Sequence, residues 1–172
     1  MNMSELLKKL ETYADSDYLP MHMPGHKRRM GDLGNPFFID ITEIDGFDDL
    51  HHAEGILKQA EERAAELYGS EETHYLVNGS TSGILAAISG CTAAGGTVLL
   101  ARNSHKSAYH AVLLRSLHVH YIYPQPAGKM GINGPVTAEN VDRLLEEHPE
   151  TKMVYITSPT YDGVVSDVEQ IA

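Results

Sequence analysis

The sequence predicts an α/β fold, with part of a mostly parallel sheet flanked by helices. Three observations carry that expectation. From about residue 70 onward, short strand-like stretches alternate with helix-length ones, and such alternation argues for parallel pairing through crossover helices. The stretches between them are rich in Gly, Pro, Ser and Thr, the residues that reverse a chain. The chain has 172 residues and is 42% hydrophobic, enough for one domain with a real core.

The elements follow in order. Ser4 can cap a helix over 5–14, with Leu6, Leu7 and Leu10 as its apolar face. Residues 15–44 are rich in Pro, Gly, Asp and Met and show no period, which suits a functional loop or an arm. Residues 48–68 read as a helix whose stripe is Leu50, Ile56, Leu57, Ala60, Ala64, Leu67 and Tyr68, with Gly69 at its end. Strand-like 73–77 precedes helical 81–89, strand-like 97–100 precedes helical 104–116, and strand-like 119–123 precedes a Pro/Gly-rich stretch. Thr137 then caps a helix to His148, and 153–156 is the next strand. Ser166 to Glu169 has the form of a capping box opening a last helix. The chain stops at Ala172, one turn into that helix, so a fragment is expected.

Composition excludes several classes. Thirteen Lys+Arg against 24 Asp+Glu give a net charge of −11, which argues against a nucleic-acid partner. Lys27-Arg28-Arg29 is too short to reverse this. Apolar runs such as Ile84–Ile88 are far below the ~20 residues of a membrane helix, so no membrane partner is expected. The N-terminus lacks a basic n-region and an apolar h-region. The single cysteine, Cys91, allows no intrachain disulfide and suits a reducing cytoplasm.

Three loops are candidates for chemistry. Asn78-Gly79-Ser80-Thr81-Ser82-Gly83 lies between a strand end and a helix start, where open α/β sheets bind ligands. Free amides, a positive dipole end and three hydroxyls would form a phosphate cradle there; the plain alternative is a capped turn. The pattern is neither a dinucleotide fingerprint nor a Walker loop. Arg102-Asn103-Ser104-His105-Lys106-Ser107 occupies the equivalent place after the next strand. His105 would serve as base, metal ligand or stacking surface, unless it is only an exposed residue beside a capping Ser104. In 157–163, Ser158 and Thr160 can hydrogen-bond a ligand, although a Pro/Gly turn alone explains the segment. Ten histidines include the pairs His22/His26, His51/His52, His105/His110 and His118/His120, but no third ligand stands at a familiar spacing and no metal is expected. The acids Glu43, Asp45, Asp48 and Asp49 would attract a cationic substrate or simply suit a helix start.

Five motifs in order carry a family resemblance: HMPGHK at 22–27, DITEIDGFDDLHHAEGILKQAEERAAELYG at 40–69, LVNGSTSGI at 76–84, ARNSHKSAYHA at 101–111 and SPTYDGVVSD at 158–167. From about residue 18 to 172 the chain resembles the bacterial ornithine/lysine/arginine decarboxylases. These are pyridoxal phosphate (PLP) enzymes of aspartate-aminotransferase-like fold. The resemblance implies that 1–45 form an N-terminal helix and extended arm, and that 46–172 form the first part of the PLP-binding major domain. It implies that Ser80, Thr81 and Ser82 hold the cofactor phosphate and that His105 stacks on the pyridine ring. It places Ser158 and Thr160 beside the ring and its hydroxyl. The family's Schiff-base lysine and its nitrogen-binding aspartate lie downstream of the matched region. Lys106 follows His105 as the catalytic lysine follows a histidine in the family, but it belongs to the stacking motif. The chain is therefore expected to be inactive alone, to take a small amino-acid substrate through its family role, and to form a homodimer or larger oligomer. A non-catalytic PLP- or phosphate-binding assembly domain, or another PLP enzyme of the same fold such as an aminotransferase or lyase, stays open.

Overall fold

The computed structural model describes residues 5–19, 21, 27, 34–38 and 40–172. The chain forms two compact units, Met1–Glu71 and Glu72–Ala172.

The first unit holds helices α1 (Glu5–Ala14) and α2 (Ile56–Tyr68). The expected helix over 48–68 therefore begins eight residues late. The cause is Asp48, whose backbone sits in the left-handed region at φ 70°. Its carboxylate accepts from the amides of Glu54, Gly55 and Leu57 at 3.0, 2.7 and 3.1 Å. The Gly55 and Leu57 amides are donors that the start of α2 leaves unpaired, and the Glu54 amide lies just before it. The Asp48 side chain thus caps the helix from seven residues upstream of its N-cap, Gly55, and residues 48–54 form the turn that allows it. Four oriented amides, Asp49 included, hold its pKa down to about 2. Asp49 accepts from the His51 amide. Two of the four acids at 43–49 are therefore committed to local structure. At the far end Gly69, at φ 65°, closes α2 with amides returned to Ala65 and Glu66.

The second unit is a three-layer α/β arrangement. Its elements are α3 (Gly79–Cys91), β1 (Thr97–Ala101), α4 (Lys106–Arg115), β2 (His118–Ile122), α5 (Ala138–Glu147), β3 (Thr151–Tyr155) and α6 (Val168–Ile171). The strands pair in parallel in the order β2-β1-β3. Every residue of β1 is buried, as a central parallel strand covered on both faces must be. Its alternation sorts the core into two. Val98 and Leu100 pack with Ile88 of α3 and Ala108 and Ala111 of α4 on one face. Leu99 and Ala101 pack with Ile122, Val136 and the α5 residues Val141 and Leu144 on the other. Thr137 caps α5 by accepting from the Asn140 amide. Among the described residues no helix is long and apolar enough to cross a membrane.

Three local expectations need correction. Residues 73–77 form no strand; Tyr75, Leu76 and Val77 are exposed, and the segment has no ladder partner among the described residues. Ser104 does not cap α4, because His105 takes the N-cap position. Ser166 opens no capping box; Asp167 caps α6 by accepting from the Gln170 amide, and Ser166 is buried instead.

Candidate functional site

The topology brings all three candidate loops to one edge of the sheet. The parallel strands end together at Ala101, Ile122 and Tyr155. Loops 102–105 and 156–167 leave that edge directly. Helix α3 leads into the start of β1 through only 92–96, so it runs back from the opposite edge. Its 13 residues span about 20 Å, enough to return its N-terminus past the roughly 17 Å of a five-residue strand. Helices α3 and α4 pack on the same face, and both start at this edge. Two positive helix ends therefore open side by side, a setting that favours an anion.

The start of α3 is left open. Asn78 at the N-cap makes no side-chain capping bond. Gly79 enters the helix at φ 64°, a conformation that a side chain would strain. Ser80 and Thr81 are exposed and their hydroxyls have no partner among the described residues. Ser82 differs: its hydroxyl donates to the Gly79 carbonyl at 2.9 Å.

His105 is exposed and its ring is fixed. Nδ1 accepts from the Ser107 amide at 3.2 Å and lies 2.8 Å from the buried Ser107 hydroxyl. With Nδ1 as acceptor the ring proton of the neutral form sits on Nε2. Beside it, Asn103 Oδ1 and Ser104 Oγ are buried with no hydrogen-bond partner. Buried polar atoms are normally hydrogen-bonded, so these two mark the edge as a place where a polar group can be accepted. The orphaned atoms, the open helix start and the flat exposed imidazole together fit a phosphorylated ring such as PLP.

The third loop is built by its own hydroxyls. The Ser158–Pro159 peptide is cis. Ser158 Oγ accepts from the Ser166 amide at 3.0 Å, and Ser166 Oγ in turn accepts from the buried Val136 amide at 3.0 Å. Thr160 Oγ1 accepts from the Val164 amide at 3.1 Å, while its own amide donates to the Val164 carbonyl at 2.8 Å. Both hydroxyls are half-buried, and each keeps a proton to donate.

Sequence reasoning missed one cluster. Arg102 donates to the Tyr109 hydroxyl at 2.8 Å and lies 5.4 and 5.5 Å from the ring centroids of Tyr109 and Tyr121. The Tyr109 hydroxyl donates back to the Arg102 carbonyl at 2.6 Å. That hydroxyl holds the guanidinium above its ordinary range. Arg102 stands in the turn after β1 and Tyr109 in the first turn of α4, so no fixed helical spacing signals the pair. Of the 22–27 signature only Lys27 is described; His22 to His26 lie outside the described residues.

Comparison with known proteins decides the family. Residues 4–172 match the family described as Orn/Lys/Arg decarboxylase, major domain. The chain belongs to the Orn/Lys/Arg decarboxylase family. It is 33% identical to an arginine decarboxylase of Bacillus subtilis, over 94% of this chain and 35% of that protein. It is 38% identical to the B. subtilis protein YaaO, over 96% of this chain and 36% of that one. The chain therefore spans about a third of the length of the curated relatives it matches. Among solved structures, the constitutive lysine decarboxylase of E. coli superposes at a TM-score of 0.66, with 23% identity, over 98% of this chain and 27% of that one. That likeness places the layers and sheet of this family member on the decarboxylase fold.

Proposed function

We propose that this chain supplies the cofactor-holding part of a PLP-dependent decarboxylase acting on ornithine, lysine or arginine. The observation that carries the reading is the open start of α3, with the unpartnered Ser80 and Thr81 hydroxyls, at the same sheet edge as the fixed ring of His105. Family membership supports it. In this reading the α3 amides, that of Ser82 among them, and the Ser80 and Thr81 hydroxyls bind the phosphate. His105 stacks on the pyridine ring, and its bond from the Ser107 amide keeps the imidazole flat against it. Ser158 and Thr160 donate toward the ring hydroxyl, and Asn103 and Ser104 offer the remaining polar atoms. Bound there, PLP supplies an electron sink for the carboxylate bond that breaks. The chain's own residues bind and orient.

None of the seven lysines is assigned the covalent role. Lys106 is exposed in the first turn of α4, directly after the stacking histidine. On this reading the 172 residues bind PLP reversibly and turn over no substrate by themselves. Residues 1–45 serve as N-terminal helix and arm, and 46–172 as the first part of the major domain. The working enzyme is a cytoplasmic homodimer or larger assembly, and the charge of −11 suits a cationic amino acid.

The test is a PLP titration of the purified chain by absorbance, followed by borohydride reduction and intact mass. The expected result is saturable binding, competed by inorganic phosphate, with no mass gain. A stoichiometric adduct on one lysine would overturn the claim that no lysine here takes the covalent role. Absence of any saturable binding would overturn the cofactor assignment.

A further inference from the structure

We propose a divalent-metal site formed by His120, His148 and Glu150, separate from the cofactor edge. It is independent of the decarboxylase reading. His120 lies in the middle of β2, and alternation puts it on the face of Ile122, the face that α5 covers. His148 is the C-cap of α5, its amide donating to the Leu144 carbonyl at 3.0 Å. Glu150 stands in the turn before β3, and the Thr151 amide closes that turn on the His148 carbonyl at 3.0 Å. A strand, a helix end and a tight turn thus hold the three residues. Glu150 immediately precedes β3, so the group sits toward the edge of the sheet where strands begin. The proposed cofactor loops leave the edge where they end.

One oxygen organises the group. Glu150 Oε1 lies 4.0 Å from His120 Nε2 and 3.9 Å from His148 Nδ1. All three donor atoms fall within 4.8 Å of one another. Tetrahedral zinc with ligands at 2.0–2.1 Å requires donor separations of about 3.4 Å. Each carboxylate–imidazole pair therefore closes by about half an ångström, which a turn of the exposed Glu150 side chain provides, while the two imidazole nitrogens, within 4.8 Å of each other, come together by rotation of the rings. The two imidazoles now stack at 3.4 Å with 15° between planes. Binding opens that stack, because both nitrogen lone pairs must aim at one ion. Two imidazoles and one carboxylate select borderline cations, zinc, cobalt or nickel, over magnesium or calcium. Three protein ligands leave one position for water.

The experiment is a Co²⁺ titration of the full chain, followed by its ligand-field absorption, with Zn²⁺ as competitor. The expected result is one high-affinity ion per chain, displaced by Zn²⁺. His120→Asn and His148→Asn each weaken it by roughly tenfold or more, and Glu150→Gln weakens it as well. His110→Asn and His118→Asn leave it unchanged. Circular dichroism checks that each variant folds. A measurement on the unmutated chain stands beside them: Co²⁺ must shift the ring protons of His120 and His148 ahead of those of the other histidines. Binding that survives both Asn variants, paramagnetic shifts centred on other histidines, or no saturable binding at ~1 mM Co²⁺, far above the affinity expected of a three-ligand site, would overturn the proposal.

Discussion

The three hydroxyls at the start of α3 should not contribute equally to anion binding, although they stand side by side. Ser80 and Thr81 have unpartnered hydroxyls, whereas Ser82 already donates its one proton to the Gly79 carbonyl at 2.9 Å. A hydrogen bond to a charged group is worth about 1.5–3 kcal/mol. Replacing Ser80 or Thr81 with Ala should therefore weaken PLP or inorganic phosphate by roughly 10- to 150-fold each. Ser82→Ala should cost only about threefold, because the amides of the first turn remain and the lost bond is internal to the helix. Equilibrium dialysis with PLP, repeated with phosphate as competitor, measures all three variants on one scale. The double variant Ser80→Ala/Thr81→Ala should leave weak binding carried by backbone amides alone. Equal losses at the three positions would refute this, since they would mean that the Ser82 proton leaves the Gly79 carbonyl for the ligand. No loss at Ser80 and Thr81 would refute the assignment of the anion to this helix.

Other outcomes follow from the same structure. Asp48 has its pKa depressed to about 2, so its stabilising effect is complete above the ordinary carboxylate value of 3.8 and is lost as pH falls from there toward 2. Hydrogen exchange should show the amides of Glu54, Gly55 and Leu57 losing protection across that window, and Asp48→Asn should flatten the dependence. Ser166→Ala strips the buried Val136 amide of its acceptor and should destabilise by about 1–3 kcal/mol in urea unfolding. Leu99→Ala empties a fully buried position of the central strand and should cost about 2–5 kcal/mol by the same assay. His105→Phe keeps a flat ring but loses the bond from the Ser107 amide, so PLP binding should weaken less than in His105→Ala; equal losses in the two would argue against stacking.

The parts of the fold that sequence made legible are those with local causes. Helix α1, whose expected cap Ser4 lies outside the described residues, follows its apolar period, and the Thr137 cap of α5 and the Gly69 stop of α2 lie where capping places them, because each depends on residues within one turn. β1 was legible because a short apolar run between Gly95-Gly96 and a polar loop has few other uses. Apart from the cap of α4, which moves by one residue from Ser104 to His105, the failures involve partners distant in sequence. Residues 73–77 have strand composition but no neighbouring strand to pair with among the described residues, and composition cannot supply one. Asp48 reaches across nine residues to the Leu57 amide, beyond any capping pattern of fixed spacing. Ser166 looked like a local cap and instead bonds Val136, thirty residues away. The His120, His148 and Glu150 group was illegible for the same reason, since its members are brought together by a parallel crossover.

The site shows the same division between local and distant causes, and it bears on what the chain can bind. A loop of small hydroxyl residues before a helix states that an anion is welcome but not which one. The neighbouring helix narrows the choice. α4 starts at the same edge, and its N-cap is an imidazole rather than the Ser104 that a plain capped turn would use. That substitution leaves Ser104 Oγ and Asn103 Oδ1 buried without partners, a cost that an unliganded turn has no reason to carry. A free phosphate bound at α3 alone would leave those two atoms and the exposed imidazole unused. On the proposed reading, a phosphate joined to a flat, polar-rimmed ring would use the imidazole and these atoms as well as the helix start, which sets a phosphorylated aromatic cofactor apart from a simple anion. Asn103→Ala and Ser104→Ala should accordingly weaken PLP while leaving inorganic phosphate within about twofold, a contrast that dialysis of the two ligands reads directly. Equal effects on both ligands would mean that the orphaned atoms serve the anion and that the ring assignment is wrong.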